Sequence, residues 1–485
     1  MTSTGLFHGR TYDDFLMRPH HGVIDSRRSV SLLSALTSRI QLELPIVSAN
    51  MDSVTAGPMA KAMALAGGFG IIHRAMSIEA QAREVTRVKR SHGHVVDRPL
   101  SLARSATVRE AREFTRRHGI TGILIEETRG SNVLAGLLSN RDMPWSASHE
   151  DDRVEAFMTP VERLVTAAPG IAVDEAERIM FEKRIEKLPL VDAERRIQGL
   201  ITKSDLILSR QRPESTQDEK GRLRVGAAIG ARGDFLERAA ELLNAGAEVL
   251  VIDIAHGHSE IMEQAIKEFR VRFGDAPLVC GNVGTGDGAR FLKERGADAV
   301  KVGIGPGRGC RTRLETAIGV PQLQAIHEAW EALGDDIPII ADGGIKEDKD
   351  IFLAIACGAS SVMLGSMLSG TDEAPGTVFE DPSTRRKHKT YRGMTSPQAV
   401  LEALYDPTPE DVEAALETPS EGQEMQVPYR GSVHGILQRI AGHLRSAVSY
   451  SGAPSLAEAR VRVLADPTRY LIPLSEASRR ESYDR

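Results

Sequence analysis

Eight short apolar runs recur along this chain, at residues 45–48, 69–72, 225–229, 249–253, 278–282, 299–303, 339–342 and 361–365. Each stops at a small or polar residue and is followed by a stretch with helical spacing, as at 56–65 and 78–90. An uninterrupted apolar run suits a strand covered on both faces, and intervening helices supply that cover, so the sheet is expected to be parallel. Eight such units predict an α/β fold of the (β/α)8 TIM-barrel type, whose chemistry sits at the C-terminal ends of the strands. A doubly wound open sheet fits less well, because no G-x-G-x-x-G opens a helix after the first run.

The rhythm breaks between the second and third runs. Residues 1–97 are read as the first part of the barrel, 98–212 as an inserted module, and 213–485 as the remainder with a C-terminal extension. The module contains two copies, about 98–150 and 154–212. Gly136 and Gly199 are 63 residues apart, as are Asp142 and Asp205. Two copies are too few for a solenoid and predict a pseudo-symmetric module. It resembles a tandem pair of cystathionine-β-synthase-type (CBS, Bateman) domains, which sense adenine nucleotides. The resemblance implies that Ser139 with Asp142, and Thr202 with Asp205, hold ribose hydroxyls of a regulatory nucleotide such as ATP or GTP. The other reading is that each hydroxyl residue only caps a helix.

If the barrel is right, residues just beyond the strands should look chemical. The fourth run ends Asp253-Ile254-Ala255, the fifth at Asn282, the seventh at Asp342-Gly343-Gly344 and the eighth at Gly365-Ser366. Backbone N–H groups in the last two turns, at the start of helices, suit a phosphate, and loops seven and eight are where this fold usually places one. Asp342, acceptor-only when ionised, suits ribose hydroxyls. The sixth run enters K-V-G-I-G-P-G-R-G-C-R-T-R, where four glycines let backbone press close to a ligand. At its tip Cys310 stands among Arg308, Arg311 and Arg313, and positive neighbours favour a nucleophilic thiolate. The other readings are an ordinary thiol in a tight turn and a redox-sensing thiol, although no resolving cysteine lies nearby in sequence.

Composition narrows the classes. A net charge of −6 gives no general reason to expect nucleic-acid binding. Three cysteines make no disulfide framework and no zinc spacing, which suits a reducing cytoplasm. No stretch approaches the ~18 consecutive apolar residues of a membrane span, and the first ten residues lack the apolar core of an export signal.

Several separated motifs then point one way. K-V-G-I-G-P-G-x-x-C-x-T-R, M-D-S-V-T, I-A-D-G-G-I, Y-R-G-M and E-G-x-x-x-x-V-P-Y-R-G stand in one order. Together they resemble the IMP dehydrogenase/GMP reductase family over nearly the whole barrel, with the CBS pair after the second strand as in the dehydrogenases. The resemblance implies that Cys310 attacks C2 of a purine nucleotide beside a nicotinamide cofactor. Asp342, Gly343, Gly344, Gly365, Ser366 and Tyr391 would hold ribose and phosphate, with Met51, Gly393 and Met394 by the purine. Asp253, Ile254, Ala255, Asn282, Gly303 and Gly305 would lie by the cofactor or reacting base. Thr312 and Glu421 match the family's proton-relaying pair. A monovalent cation (K+) at Gly305, Gly307 and Cys310 is a further implication. A serine that often binds phosphate in the family is Arg308 here, and a threonine is Arg311.

Two reactions compete. The dehydrogenase oxidises IMP with NAD and must hydrolyse a covalent adduct, using an Arg-Tyr pair on a flap. The reductase converts GMP to IMP and ammonia with NADPH and needs no such water. The corresponding stretch, 395–420, contains no arginine, and its single tyrosine, Tyr405, follows Leu404. A-N-M-D at 49–52 and Thr285-Gly286 also look reductase-like, whereas a CBS pair is more usual in the dehydrogenase. The expectation is therefore an NADPH-dependent GMP reductase, with IMP dehydrogenase as the alternative and a non-catalytic purine sensor as a third reading. Relatives assemble as tetramers, and CBS pairs join these into octamers, so one of the two is expected.

Overall fold

The computed structural model describes residues 3–483 except 92–94, 97–98, 205, 208–211, 397, 400, 402–408, 410–411 and 414–418. The chain divides into two units: one of residues 1–89, 214–216 and 223–485, the other of 90–213 and 217–222.

The first unit is a closed barrel of eight parallel strands. They are Ile46–Ser48, Phe69–Ile72, Gly226–Ile229, Val249–Asp253, Leu278–Val283, Ala299–Val302, Ile339–Asp342 and Ser361–Leu364. Each pairs with the next in chain order, Ile71 lying opposite Gly226 across the interruption, and Val362 opposite Ile46 closes the ring. Val249, Leu250, Val251, Ile252, Val300, Val302 and Ile340 are fully or almost fully excluded from solvent. At ~1.5–3 kcal/mol for each large aliphatic side chain, this core is the main force holding the ring closed. Helices at Gly57–Leu65, Ile78–Arg90, Phe235–Ala245, Glu260–Phe273, Gly286–Glu294, Gln322–Leu333 and Asp348–Ala356 follow the first seven strands. Their starts are capped locally: Thr285 accepts from Gly288 N, and Glu347 forms a capping box with Asp350.

The eighth strand departs from the simple repeat. Beyond Gly365-Ser366 comes a single hydrogen-bonded turn, with Leu368 and Ser369 N–H donating to Gly365 O. A three-stranded antiparallel sheet (Phe379–Glu380, Lys387–Arg392, Glu424–Pro428) then intervenes before the helix Val433–Tyr450. The expectation that both glycine turns open helices is corrected here. After the seventh strand, too, the helix starts only at Asp348, and the amides of Lys346 and Glu347 are taken by Asp350 Oδ2. The donors left for an anion are those of the glycine turns themselves.

In the second unit the two copies share an order of helix, strand and antiparallel strand. Val108–His118 precedes Gly122–Glu126 and Leu134–Ser139, and Val173–Lys183 precedes Lys187–Val191 and Ile197–Thr202. Leu124, Leu134, Ile197 and Leu200 form one apolar seam between the copies.

Candidate active site

At the C-terminal mouth of the barrel the strand ends are tied together by a buried lysine. Lys301, on the sixth strand, is 2% exposed. Its ammonium donates to Asp253 Oδ1 at 2.8 Å, to Asp342 Oδ2 at 2.6 Å and to Asn282 Oδ1. Asn282 donates onward to Asp342 Oδ2 at 3.0 Å and to the Gly303 carbonyl at 2.8 Å, while Asn50 donates to Asp253 Oδ2 at 2.6 Å. Burial alone would push Asp253 up, but the lysine charge and the hydrogen bonds from Lys301 and Asn50 outweigh it and hold the carboxyl below its ordinary value. Burial would likewise lower Lys301, and the two carboxylates reverse that, so the ammonium stays charged. All three ammonium protons are used, and each carboxylate is fixed in orientation. Sequence reasoning missed Lys301 and Asn50. The available signal was a lysine inside an otherwise apolar strand, which must find buried partners.

The sixth strand leaves this floor through Gly303, whose φ is +153°, and where a Cβ would stand 2.0 Å from the Asp342 carbonyl oxygen. Only glycine fits there. The arginines of the following loop take different roles from those expected. Arg313 turns inward to donate to the Ile304 carbonyl at 3.0 Å and to that of Val320, stitching the loop. Arg311 pairs with Glu315 at 2.6 Å. Arg308 alone of the three lines the cleft.

Cys310 is half-buried and its thiol lies 3.1 Å from the Thr312 hydroxyl, which donates to Glu421 Oε2 at 2.5 Å. An ionised carboxylate only accepts, so Thr312 gives its proton to Glu421 and can accept from the thiol. Glu421 is brought here by main-chain pairing: Arg311 N–H donates to the Glu421 carbonyl at 2.7 Å, and Gln423 N–H to that of Gly309 at 3.0 Å. Cys280 and Cys357 are buried, and burial pushes both thiols well above the usual range. Cys310 is therefore the accessible thiol of the three.

Opposite the thiol, Gly343 and Gly344 have φ of +89° and +78°, and the backbone of Gly307 presses on Gly343. Tyr391, on the antiparallel sheet, reaches over Gly365, and its hydroxyl lies 3.7 Å from Met51 Sδ. Burial pushes its hydroxyl up, so it remains a neutral donor. Met394 Sδ accepts from Asp52 N at 3.4 Å, so Met51 and Met394 border one pocket wall. The cleft they enclose has a volume of about 920 Å³. Met51, Asp253, Ile254, Ala255, Asn282, Gly303, Gly305, Gly307, Arg308, Asp342, Gly343 and Gly344 all line it. So do Cys310, Thr312, Gly365, Ser366, Tyr391, Gly393, Met394 and Glu421. The volume sits at the upper end of the ~300–1,000 Å³ typical of ligand pockets, room for a nucleotide and a second planar group. Ile254 and Ala255 line the cleft beside the charged floor, the Ile254 N–H donating to the Gly281 carbonyl at 3.0 Å and its carbonyl accepting from Asn282 N–H at 2.9 Å. No cluster of His, Cys, Asp or Glu that could hold a metal is present among the described residues, and the Gly307 carbonyl already accepts from Cys310 N–H at 3.0 Å.

In the second unit, Asp142 Oδ2 accepts from the Ser139 hydroxyl at 2.7 Å and from its N–H at 2.8 Å. Thr202 ends the matching strand, and Asp205 lies outside the described residues. A second cavity of about 560 Å³ adjoins this turn, lined by Arg112, Arg116, Thr121, Asn140 and Trp145 among others.

A TIM barrel with a cysteine, threonine and glutamate in line at its mouth, in one cleft with two glycine turns, is an arrangement able to support thiol chemistry on a small bound molecule. Comparison makes the class specific. The model of the IMP dehydrogenase/GMP reductase domain matches residues 9–484, and the chain belongs to that family of oxidoreductases, which use nicotinamide cofactors. Inosine-5'-monophosphate dehydrogenase of Nitrosopumilus maritimus is 44% identical over 92% of this chain and 93% of its own length. That of Aquifex aeolicus is 43% identical over 93% and 91%. Among solved structures, a cysteine-to-alanine GMP reductase of Trypanosoma brucei in complex with guanosine 5'-monophosphate superposes with a TM-score of 0.89. It is 36% identical and covers 99% of both chains. Among the described residues no helix is long and apolar enough to cross a membrane.

Proposed function

We propose that this protein is a GMP reductase, converting GMP to IMP and ammonia with NADPH. The observation that carries the reading is the unbroken path from thiol to Glu421 through Thr312, set beside a flap stretch without arginine. On this reading the thiol gives its proton through Thr312 to Glu421, and the sulfur adds to purine C2. Glu421 then returns a proton to the exocyclic amine, which leaves poorly unless protonated, and the C2–N bond breaks to release ammonia. Asp253, Ile254, Ala255, Asn282, Gly303 and Gly305 would hold the cofactor, whose chemistry when bound would be hydride supply to C2. Expulsion of the sulfur from C2 completes IMP. Asp342, held by Lys301, would accept from ribose hydroxyls, while Gly343, Gly344, Gly365, Ser366 and Tyr391 would hold the phosphate.

The high identity to proteins named IMP dehydrogenase favours a second reading, oxidation of IMP with NAD to XMP. Paired assays separate the two: GMP with NADPH yields IMP and ammonia on the first, and IMP with NAD yields NADH on the second. The second unit is proposed to be a CBS pair that binds a purine nucleotide such as ATP or GTP through Ser139, Asp142, Thr202 and Asp205. The proposed assembly is a homotetramer or homo-octamer.

A further inference from the structure

Two arginines stand at the phosphate end of the cleft beyond what a single phosphate requires. The tripeptide Gly307-Arg308-Gly309 is wedged between two walls. A Cβ on Gly343 would be 3.1 Å from Gly307 N, and a Cβ on Gly309 would be 2.9 Å from Gly393 N. Gly309 cannot be given a side chain without displacing the Gly393 backbone, whereas a Cβ on Gly307 would meet only the Cys310 Cβ at 3.7 Å, and Arg308 is the one side chain the segment carries. Its direction is set by main-chain anchors: Gln423 Nε2 donates to the Arg308 carbonyl at 2.8 Å, and Gln423 N to that of Gly309 at 3.0 Å. Arg308 is exposed and lines the cleft mouth.

Arg430 comes from the other side, after the antiparallel sheet. Its guanidinium donates to the Met367 carbonyl at 3.3 Å, in the turn that follows Gly365-Ser366, and its N–H donates to the Gly370 carbonyl at 2.8 Å. It too lines the cleft and is within Coulombic reach of Arg308. Neighbouring Arg439 is paired with Asp348 at 3.0 Å, which leaves Glu347 as the carboxylate facing Arg430. Lys346 lines the same rim. Lys346 has its own carboxylate, Asp13, at 3.9 Å, so two arginines against Glu347 leave the surplus of positive charge beside two glycine turns that already offer N–H groups. A phosphomonoester carries two negative charges at most, while a second phosphoryl group on the solvent side would add the charge this rim is built to meet. Guanidinium forks suit that oxygen geometry.

We propose that Arg308 and Arg430 form an outer anion clamp that lets this cleft take purine nucleoside 5'-diphosphates, as competing ligands, in addition to the monophosphate. The inference rests on the purine-nucleotide reading of the cleft. It is tested by protection of Cys310 from iodoacetamide in the full chain, read by mass spectrometry, with buried Cys280 and Cys357 as internal controls. Guanosine, GMP and GDP are the probes. GMP and GDP are expected to protect at comparable concentrations, and guanosine to protect poorly. Arg308→Ser and Arg430→Gln should each weaken protection by GDP roughly tenfold to a hundredfold, the loss of a charge-assisted hydrogen bond, with a smaller effect on GMP. Retained protection by GMP shows that the variants fold. If GMP protects and GDP does not, or if both variants leave GDP unaffected, the clamp is wrong and the purine reading stands. If GMP itself gives no protection, the purine reading fails and takes the clamp with it.

Discussion

Thr312 stands between Cys310 and Glu421, and the direction of the hydrogen-bonded path depends on it. Its single proton goes to Glu421, so its lone pairs are what the thiol can donate to. Thr312→Val keeps the shape and removes both bonds. We expect kcat to fall roughly 10²- to 10⁴-fold, the usual worth of positioned acid–base catalysis, with Glu421→Gln falling as far and the KM for the nucleotide changing little. Equal losses in KM would contradict a relay. Lys301 makes a different kind of prediction. Lys301→Met leaves the half-buried Asp253 and Asp342 without their counter-charge, and the loss should approach, without exceeding, the ~3–5 kcal/mol of a broken buried pair. Denaturant unfolding should show that loss, whereas a stability like the parent's would mean the network is not what organises the strand ends. Cys310 was legible from its glycines, but its arginines were not. Arg311 and Arg313 look like thiolate partners in sequence, and only the fold shows that each has a nearer acceptor. Lys301 escaped notice because its partners lie on three other strands, 19 to 48 residues away.

At the level of elements, apolar runs placed all eight strands within a residue or so, because a strand buried on both faces leaves no polar position to blur its limits. The antiparallel sheet after the eighth strand was not foreseen. Its middle strand, Lys387–Arg392, carries charges at Lys387, Lys389 and Arg392 and even buries Lys389 against two carbonyls, so it does not read as a core strand. Yet this sheet brings Tyr391 to the cleft and leads Glu421 back to Cys310. Just beyond the second barrel strand stands His73, which is buried and held to a pKa of about 4, burial being the main cause. Its folded pKa lies below the unfolded value, so the unfolded chain takes up a proton first as pH falls. Stability contributed by the neutral ring is complete above about pH 6.5 and declines towards pH 4, by ~3 kcal/mol at most. Thermal unfolding across that window should show the decline, and His73→Gln should flatten it. An unchanged slope in the variant would assign the acid sensitivity to other groups.

For the whole molecule, a two-copy unit interrupts a barrel that closes regardless, the second and third strands pairing as neighbours across the interruption. The repeat was legible because its last strands match at a fixed offset, whereas what the unit binds was not, since Ser139 and Asp142 satisfy each other. If the unit senses nucleotides, ATP or GTP should change the rate or the assembly state, and Asp142→Ala should blunt the response. Identical kinetics with and without either nucleotide would remove that role. On the proposed reading, a sulfur adduct on the purine is resolved by reduction. One spectrophotometric comparison tests it: purified protein should oxidise NADPH only when GMP is present, with stoichiometric ammonia. Formation of NADH and XMP from IMP and NAD at a comparable turnover would contradict it.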